Sequence, residues 1–147
     1  MKIRIVAFGI FIVAIVGTCI TLNNQLVASH QACGAAWAQV ESVLQRRYDL
    51  LPNLVAIVKD YADSEKGTLE NATQLRSQWN AAMSPVDKAE AASRLEGVLS
   101  RLLQVVENNP ALKGLANFKG LQSELADTEK RIAVEGQRYN DAVEVYN

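Results

Sequence analysis

Residues 26–61 read LVASHQACGAAWAQVESVLQRRYDLLPNLVAIVKDY. Starting from Leu26, alternating steps of four and three visit His30, Cys33, Trp37, Val40, Leu44, Arg47, Leu51, Leu54, Val58 and Tyr61. Residues at that spacing share one face of a long helix, and an apolar face of this kind is the seam of a coiled coil or helical bundle. The seam keeps its phase through Pro52. Proline removes one backbone donor and crowds the preceding turn, so a kink or a fresh helix start is expected near residues 48–52, with Asp49 available as a cap. A weaker continuation runs through Leu69, Ala72, Leu75 and Trp79.

Beyond this stretch the clearest punctuation is Ser84-Pro85. Serine as N-cap, proline at the first helical position and Asp87 in the first turn together mark a helix start. The helix then carries Leu95, Val98, Leu99, Leu102, Val105 and Val106, and Asn108-Asn109-Pro110 ends it. One helical turn is expected around 111–115. A last helix follows from near Asn117, with Leu121, Leu125, Thr128, Ile132, Glu135, Tyr139, Ala142 and Tyr146 at the same spacing. No segment alternates as a strand would. Short connections make consecutive helices antiparallel. The fold expected is all-α: an N-terminal transmembrane helix followed by an antiparallel up-and-down bundle of three to four long helices, roughly 40 Å long.

In the other direction, Ile5 to Leu22 are 18 consecutive uncharged residues, IVAFGIFIVAIVGTCITL. As a helix they cover about 27 Å, close to the ~30 Å of membrane hydrocarbon. Lys2 and Arg4 precede the run, and the next basic residue is Arg46. The positive-inside rule therefore keeps the N-terminus cytoplasmic and sends the bundle outside. A cleaved signal peptide is the competing reading, but no small-x-small cleavage site follows. A lipoprotein acylated on Cys19 is a minor alternative, poorly matched by Val16-Gly17-Thr18. The chain thus divides at residue 22, into a cytoplasmic tip with a lipid-facing anchor (1–22) and a bundle domain (23–147). The latter carries 13 basic and 16 acidic residues, an ordinary soluble balance. That composition excludes collagen-like, disulfide-rich and disordered classes and leaves no basic excess for nucleic acid. Cys19 and Cys33, about 21 Å apart along one helix, are beyond disulfide reach of each other.

Several blocks together resemble the signature of the LemA family. They are Asn24-Gln25-Leu26-Val27, Ala36-Trp37-Ala38-Gln39-Val40, the run from Gln45 through Arg46-Arg47-Tyr48-Asp49 to Pro52-Asn53-Leu54-Val55, and Val58-Lys59-Asp60-Tyr61-Ala62. The second half adds Leu99-Ser100-Arg101-Leu102-Leu103, Pro110, Leu112, Phe118, Thr128-Glu129-Lys130-Arg131-Ile132, and Arg138-Tyr139-Asn140-Asp141 through Tyr146-Asn147. The resemblance implies a bacterial, membrane-anchored helical bundle with no cofactor or catalytic residue. This chain departs from the family at Asn23 and Asn109, where aromatic residues are usual, at Gly120, where a bulky apolar residue is, and at Gly136, where a basic one is. Each helical glycine costs about 1 kcal/mol relative to alanine, so the last helix is expected to be weaker than in other members. Family members also continue past the final Tyr-Asn, whereas this sequence stops at Asn147, as a short variant or a truncated one.

Few residues point to chemistry. His30 and Cys33 share a helix face, but two ligands do not make a metal site, and the chain has no second histidine. Glu124, Asp127 and Glu129 read as a solvated helix face, with no positioned nucleophile beside them. Trp37, Trp79, Tyr139 and Tyr146 fall at core spacings and are expected to anchor the bundle. The polar block Arg46, Arg47, Tyr48, Asp49 and Asn53 interrupts the seam. It is expected either to bind a partner or to fix helix register, with Arg47 meeting a carboxylate such as Glu107 or Glu129. The function expected is a non-enzymatic, single-pass scaffold of the bacterial envelope that docks an envelope or membrane protein. The alternatives are a self-assembling homo-oligomer and, third, a small-ligand or metal sensor.

Overall fold

The computed structural model describes residues 2–59 and 66–147, except the side chains of 2–8, 10, 13 and 66. The described residues form helices α1 (Lys2–Val58), α2 (Lys66–Ala81), α3 (Pro85–Asn108), the single turn α4 (Pro110–Lys113) and α5 (Ala116–Tyr146), with no strand among them. The seam beginning at Leu26 lies wholly on α1, apart from Tyr61, which falls outside the described residues.

α1 runs through Pro52 without a fresh start, one of the two outcomes expected there. An interior proline costs about 3 kcal/mol. Leu51, Leu54 and Val58 on either side are at most 1% exposed, and burying each such side chain contributes about 1.5–3 kcal/mol. Packing outweighs the lost hydrogen bond, so the helix continues. Asp49 does not cap a new helix; it accepts a hydrogen bond from Gln45 and pairs with Arg76 on α2.

The other boundaries follow local chemistry. Ser84 has extended backbone, its hydroxyl accepts from the Asp87 N–H, and Pro85 opens α3. Asn109 ends α3, and its side chain donates to the Val105 carbonyl. Pro110 then starts the expected single turn. α5 passes through Gly120 and Gly136 unbroken.

Cross-helix contacts fix the topology. Cys33, Trp37 and Arg47 meet Ala142, Tyr139 and Glu129, so α1 and α5 are antiparallel. Gln45 and Asp49 meet Trp79 and Arg76, so α2 also opposes α1. Glu41 and Arg47 meet Lys88 and Glu96, so α3 runs parallel to α1. The bundle is up-and-down. Its core joins Val40, Leu44, Leu51 and Leu54 of α1 to Leu75 and Trp79 of α2, Leu95, Leu99, Leu102 and Val106 of α3, Leu112 of α4, and Phe118, Leu121 and Leu125 of α5.

The assembly tapers. Three helices, α2, α3 and α5, surround the segment of α1 below Glu41. Above it, α1 and α5 continue alone as a two-helix stem that ends where the His30 and Tyr146 rings meet, 5.7 Å apart. Residues 2–29 of α1 then extend beyond the stem for about 42 Å, with 14–28 exposed. Phe11, Ile12, Ile15, Val16, Ile20, Leu22, Leu26 and Val27 are exposed there. Among the described residues no helix is long and apolar enough to cross a membrane. The run expected to do so, 5–22, includes residues 5–8, 10 and 13, whose side chains lie outside the description.

Candidate functional site

The polar block of α1 sits where that helix meets every other long helix. Four consecutive residues cover one full turn at about 100° each, so they necessarily point around the whole circumference. Arg46 reaches Glu124 on α5 at 3.8 Å, with both side chains more than half exposed. Arg47 lies inside the bundle, its side chain 7% exposed, and its guanidinium meets Glu96 of α3 at 3.0 Å and Glu129 of α5 at 3.6 Å. Tyr48 is fully buried and stacks on Trp79 of α2, centroids 4.7 Å apart and planes 21° from parallel. Asp49 faces α2 and Arg76. Asn53, exposed, lines an open groove of about 460 Å³ with Leu50 and Ile57 of α1 and Gly120 and Leu121 of α5. A Cβ at Gly120 would meet nothing within 4 Å, so the groove is open partly because that side chain is missing.

Of the two carboxylates expected for Arg47, Glu129 takes the role and Glu107 does not; the second partner is Glu96, outside that expectation. The guanidinium is held at the bundle wall with its head toward half-solvated acids, while its Nε is buried with no partner. Desolvation of the guanidinium offsets most of the Coulomb gain, so the two pairs are expected to add little net stability.

The aromatic residues divide. Trp79 is 1% exposed; its indole Nε1 donates to Gln45 at 2.5 Å, and the Lys88 ammonium lies 5.1 Å above the ring. Trp37 and Tyr139 meet edge to face at 5.4 Å, half-buried in the two-helix stem. Tyr146, expected as a core anchor, is 39% exposed at the tip of the stem. Burial fades along the α5 seam because α2 and α3 stop near Glu41 and leave the stem two helices thick.

Tyr48 carries a testable charge effect. Burial pushes its phenol from 10.0 up to about 12, with Arg94 pulling more weakly the other way. Between pH 10 and 12 the unfolded chain therefore releases this proton while the folded chain keeps it. The folded state binds more protons, and stability falls as pH rises through that window. Tyr48→Phe should remove this part of the decline. At pH 7 it should be neutral or slightly stabilising, because the hydroxyl is buried without a partner. Urea denaturation of both chains at pH 7 and pH 11 checks it. A Phe variant less stable by more than about 1 kcal/mol at pH 7 would contradict the buried, unpaired hydroxyl.

His30 and Cys33 do not converge on a ligand. His30 packs on Tyr146, and the Cys33 thiol donates to the Ala142 carbonyl at 3.2 Å. Among the described residues no group of three His, Cys, Asp or Glu side chains could hold a metal.

The LemA family model matches residues 36–147. The chain belongs to the LemA family. The match takes in most of the stem, the polar block and all the helices that follow, and begins after the projecting part of α1. Among characterised proteins the chain is similar to magnetosome proteins MamQ 1 and MamQ 2 of Paramagnetospirillum magneticum (strain ATCC 700264 / AMB-1), each 24% identical over 92% of this chain and 60% of theirs. MamQ of Magnetospirillum gryphiswaldense is 23% identical over the same shares. This chain thus spans about 60% of the length of these relatives.

Proposed function

We propose that this LemA-family chain is a single-pass, membrane-anchored scaffold of the bacterial envelope, without catalysis, whose bundle docks another envelope or membrane protein. The observation that carries this reading is α1 itself. One continuous helix is the central rib of the bundle and also projects the 18-residue uncharged run beyond it, so any anchor would be rigidly coupled to the docking surface. Similarity to proteins named for the magnetosome supports an association with membranes. Lipid would contact residues 5–22, the N-terminus would lie in the cytoplasm, and residues 23–147 would lie outside. Side-by-side assembly of the bundle is the second reading.

Three measurements test this. The full chain should stay in the membrane pellet after carbonate extraction; release into the supernatant would end the anchored reading. For orientation, Cys33 is a poor reporter because α5 half-covers it. A cysteine at exposed Ser123, in a chain with Cys19→Ala and Cys33→Ala, should react with a membrane-impermeant maleimide in intact cells. Labelling only after lysis would reverse the topology. Crosslinked membranes should yield a partner protein with the chain, and a chain recovered strictly alone would count against a scaffold.

A further inference from the structure

The seam of α1 does not stop where α5 does. Continued upward from His30 with the same steps, it passes through Leu26, Asn23, Cys19, Val16 and Ile12. All five are exposed, with Leu26 at 53%, Val16 at 51% and Ile12 at 45%. Among the described residues nothing covers that face, which continues the α1–α5 seam in unbroken heptad register.

Lipid accounts for only part of this face. From Ile5 to Val40 the chain holds no Asp, Glu, Lys or Arg. Those 36 residues rise about 54 Å, while a hydrocarbon core takes up about 30 Å. Residues 23–29 therefore stand above any span ending at Leu22 and below the tip of α5. They expose Leu26 and Val27 to water with no charged neighbour to solvate them.

We propose that a second copy of this chain covers this face, the two α1 helices pairing in parallel along Ile12, Val16, Cys19, Asn23 and Leu26. Parallel pairing rests on the anchored reading above, which sends both helices into one membrane in one direction. In a parallel homodimer every charge meets its own kind, and a run without charges has nothing to repel. Taking residues 16 and 23 as a positions and 12, 19 and 26 as d positions places β-branched Val16 at a and Leu26 at d, the pattern that favours two strands. Asn23 at a gives a lone buried amide, which is satisfied only by its counterpart in register. Continuity with the α1–α5 seam sets the phase.

Cys19 makes the test direct. Facing d positions of a parallel pair bring their Cα atoms to roughly 6 Å, within disulfide reach. Full-length chains carrying one cysteine at 12, 16, 19 or 26, with the native cysteines otherwise replaced by alanine, are oxidised in membranes with copper phenanthroline. Controls carry it at Ala14 or Thr21, on the opposite face. The expected result is dimer at the four seam positions, at least fivefold above the two controls, and its loss when Asn23→Lys is added. No dimer at any seam position, or equal dimer at all six, would overturn the proposal. Carbonate extraction of the same membranes separates the two readings. A chain that stays in the membrane but does not cross-link keeps its anchor and loses the pairing. One that cross-links in the released fraction keeps the pairing and loses the anchor.

Discussion

Trp79→Ala is expected to cost about 3–5 kcal/mol of unfolding free energy. Trp79 is 1% exposed and carries three interactions beyond its area: the stack on Tyr48, the hydrogen bond to Gln45, and the Lys88 ammonium over its face. It also closes α2, whose 16 residues are marginal as an isolated helix and rely on docking. Thr68, Ala72 and Leu75 are the other buried residues of that helix, none with comparable area. Removing the indole leaves the Tyr48 ring facing a void and withdraws the largest contact between α2 and α1. Against a typical total of 5–15 kcal/mol, such a loss is a large share. Hydrogen exchange should show α2 amides losing protection first, before α1 and α5 change. Trp37→Ala should cost clearly less, because that ring is half-buried in a two-helix stem. Chemical denaturation of the full chain in mild detergent measures both. A Trp79 variant within about 1 kcal/mol of the parent, or losing no more than the Trp37 variant, would show that α2 is held elsewhere.

The helix content, the α3 cap and the seam were legible because each depends on neighbours within a few residues. Ser84, Pro85 and Asp87 interact with one another, and the four-three spacing is a property of one helix. Of the kink or restart expected at Pro52, the restart does not occur, for the converse reason. The proline's local cost is plain in the sequence, but what outweighs it is burial of Leu51, Leu54 and Val58 in a core shared with the other helices. Tyr146 shows the same limit. Its spacing matches the seam, yet its burial depends on how far α2 and α3 extend beside α1, which no periodicity within α5 records. For the polar block, the position of Arg47 on the seam calls for a carboxylate, and Glu129 on the α5 face is within the reach of that expectation. Glu96 follows only once α3 is known to run parallel to α1. The position of the consecutive residues Arg46 to Asp49 at a junction of four helices was not legible, since it requires the whole topology.

The second large effect concerns the charges around Arg47, and it separates a register device from a simple stabiliser. Glu96→Gln or Glu129→Gln alone should cost at most about 1 kcal/mol, because either acid still faces the guanidinium and both are over half exposed. The double variant leaves a 7%-exposed guanidinium with neither carboxylate. A buried charge stripped of its partners costs about 3–5 kcal/mol in general, and solvent at these acids places the expectation near 2–3 kcal/mol. Arg47→Met should instead be neutral or stabilising, by up to a few kcal/mol, since it removes the desolvated charge and continues the apolar seam between Leu44 and Leu51. What Arg47→Met should lose is uniqueness. α1 and α5 contact each other through repeats seven residues apart, so a one-heptad slip keeps apolar residues facing apolar ones, and the cation between Glu96 and Glu129 is what such a slip breaks. Amide spectra of the Met variant should therefore show doubled resonances along the stem near Trp37 and Tyr139, with unfolding no earlier than the parent. If the Met variant unfolds several kcal/mol sooner with single resonances, the arginine is a stabiliser and not a register lock. If it folds singly and stably but crosslinked membranes no longer yield the partner, the block binds that partner directly.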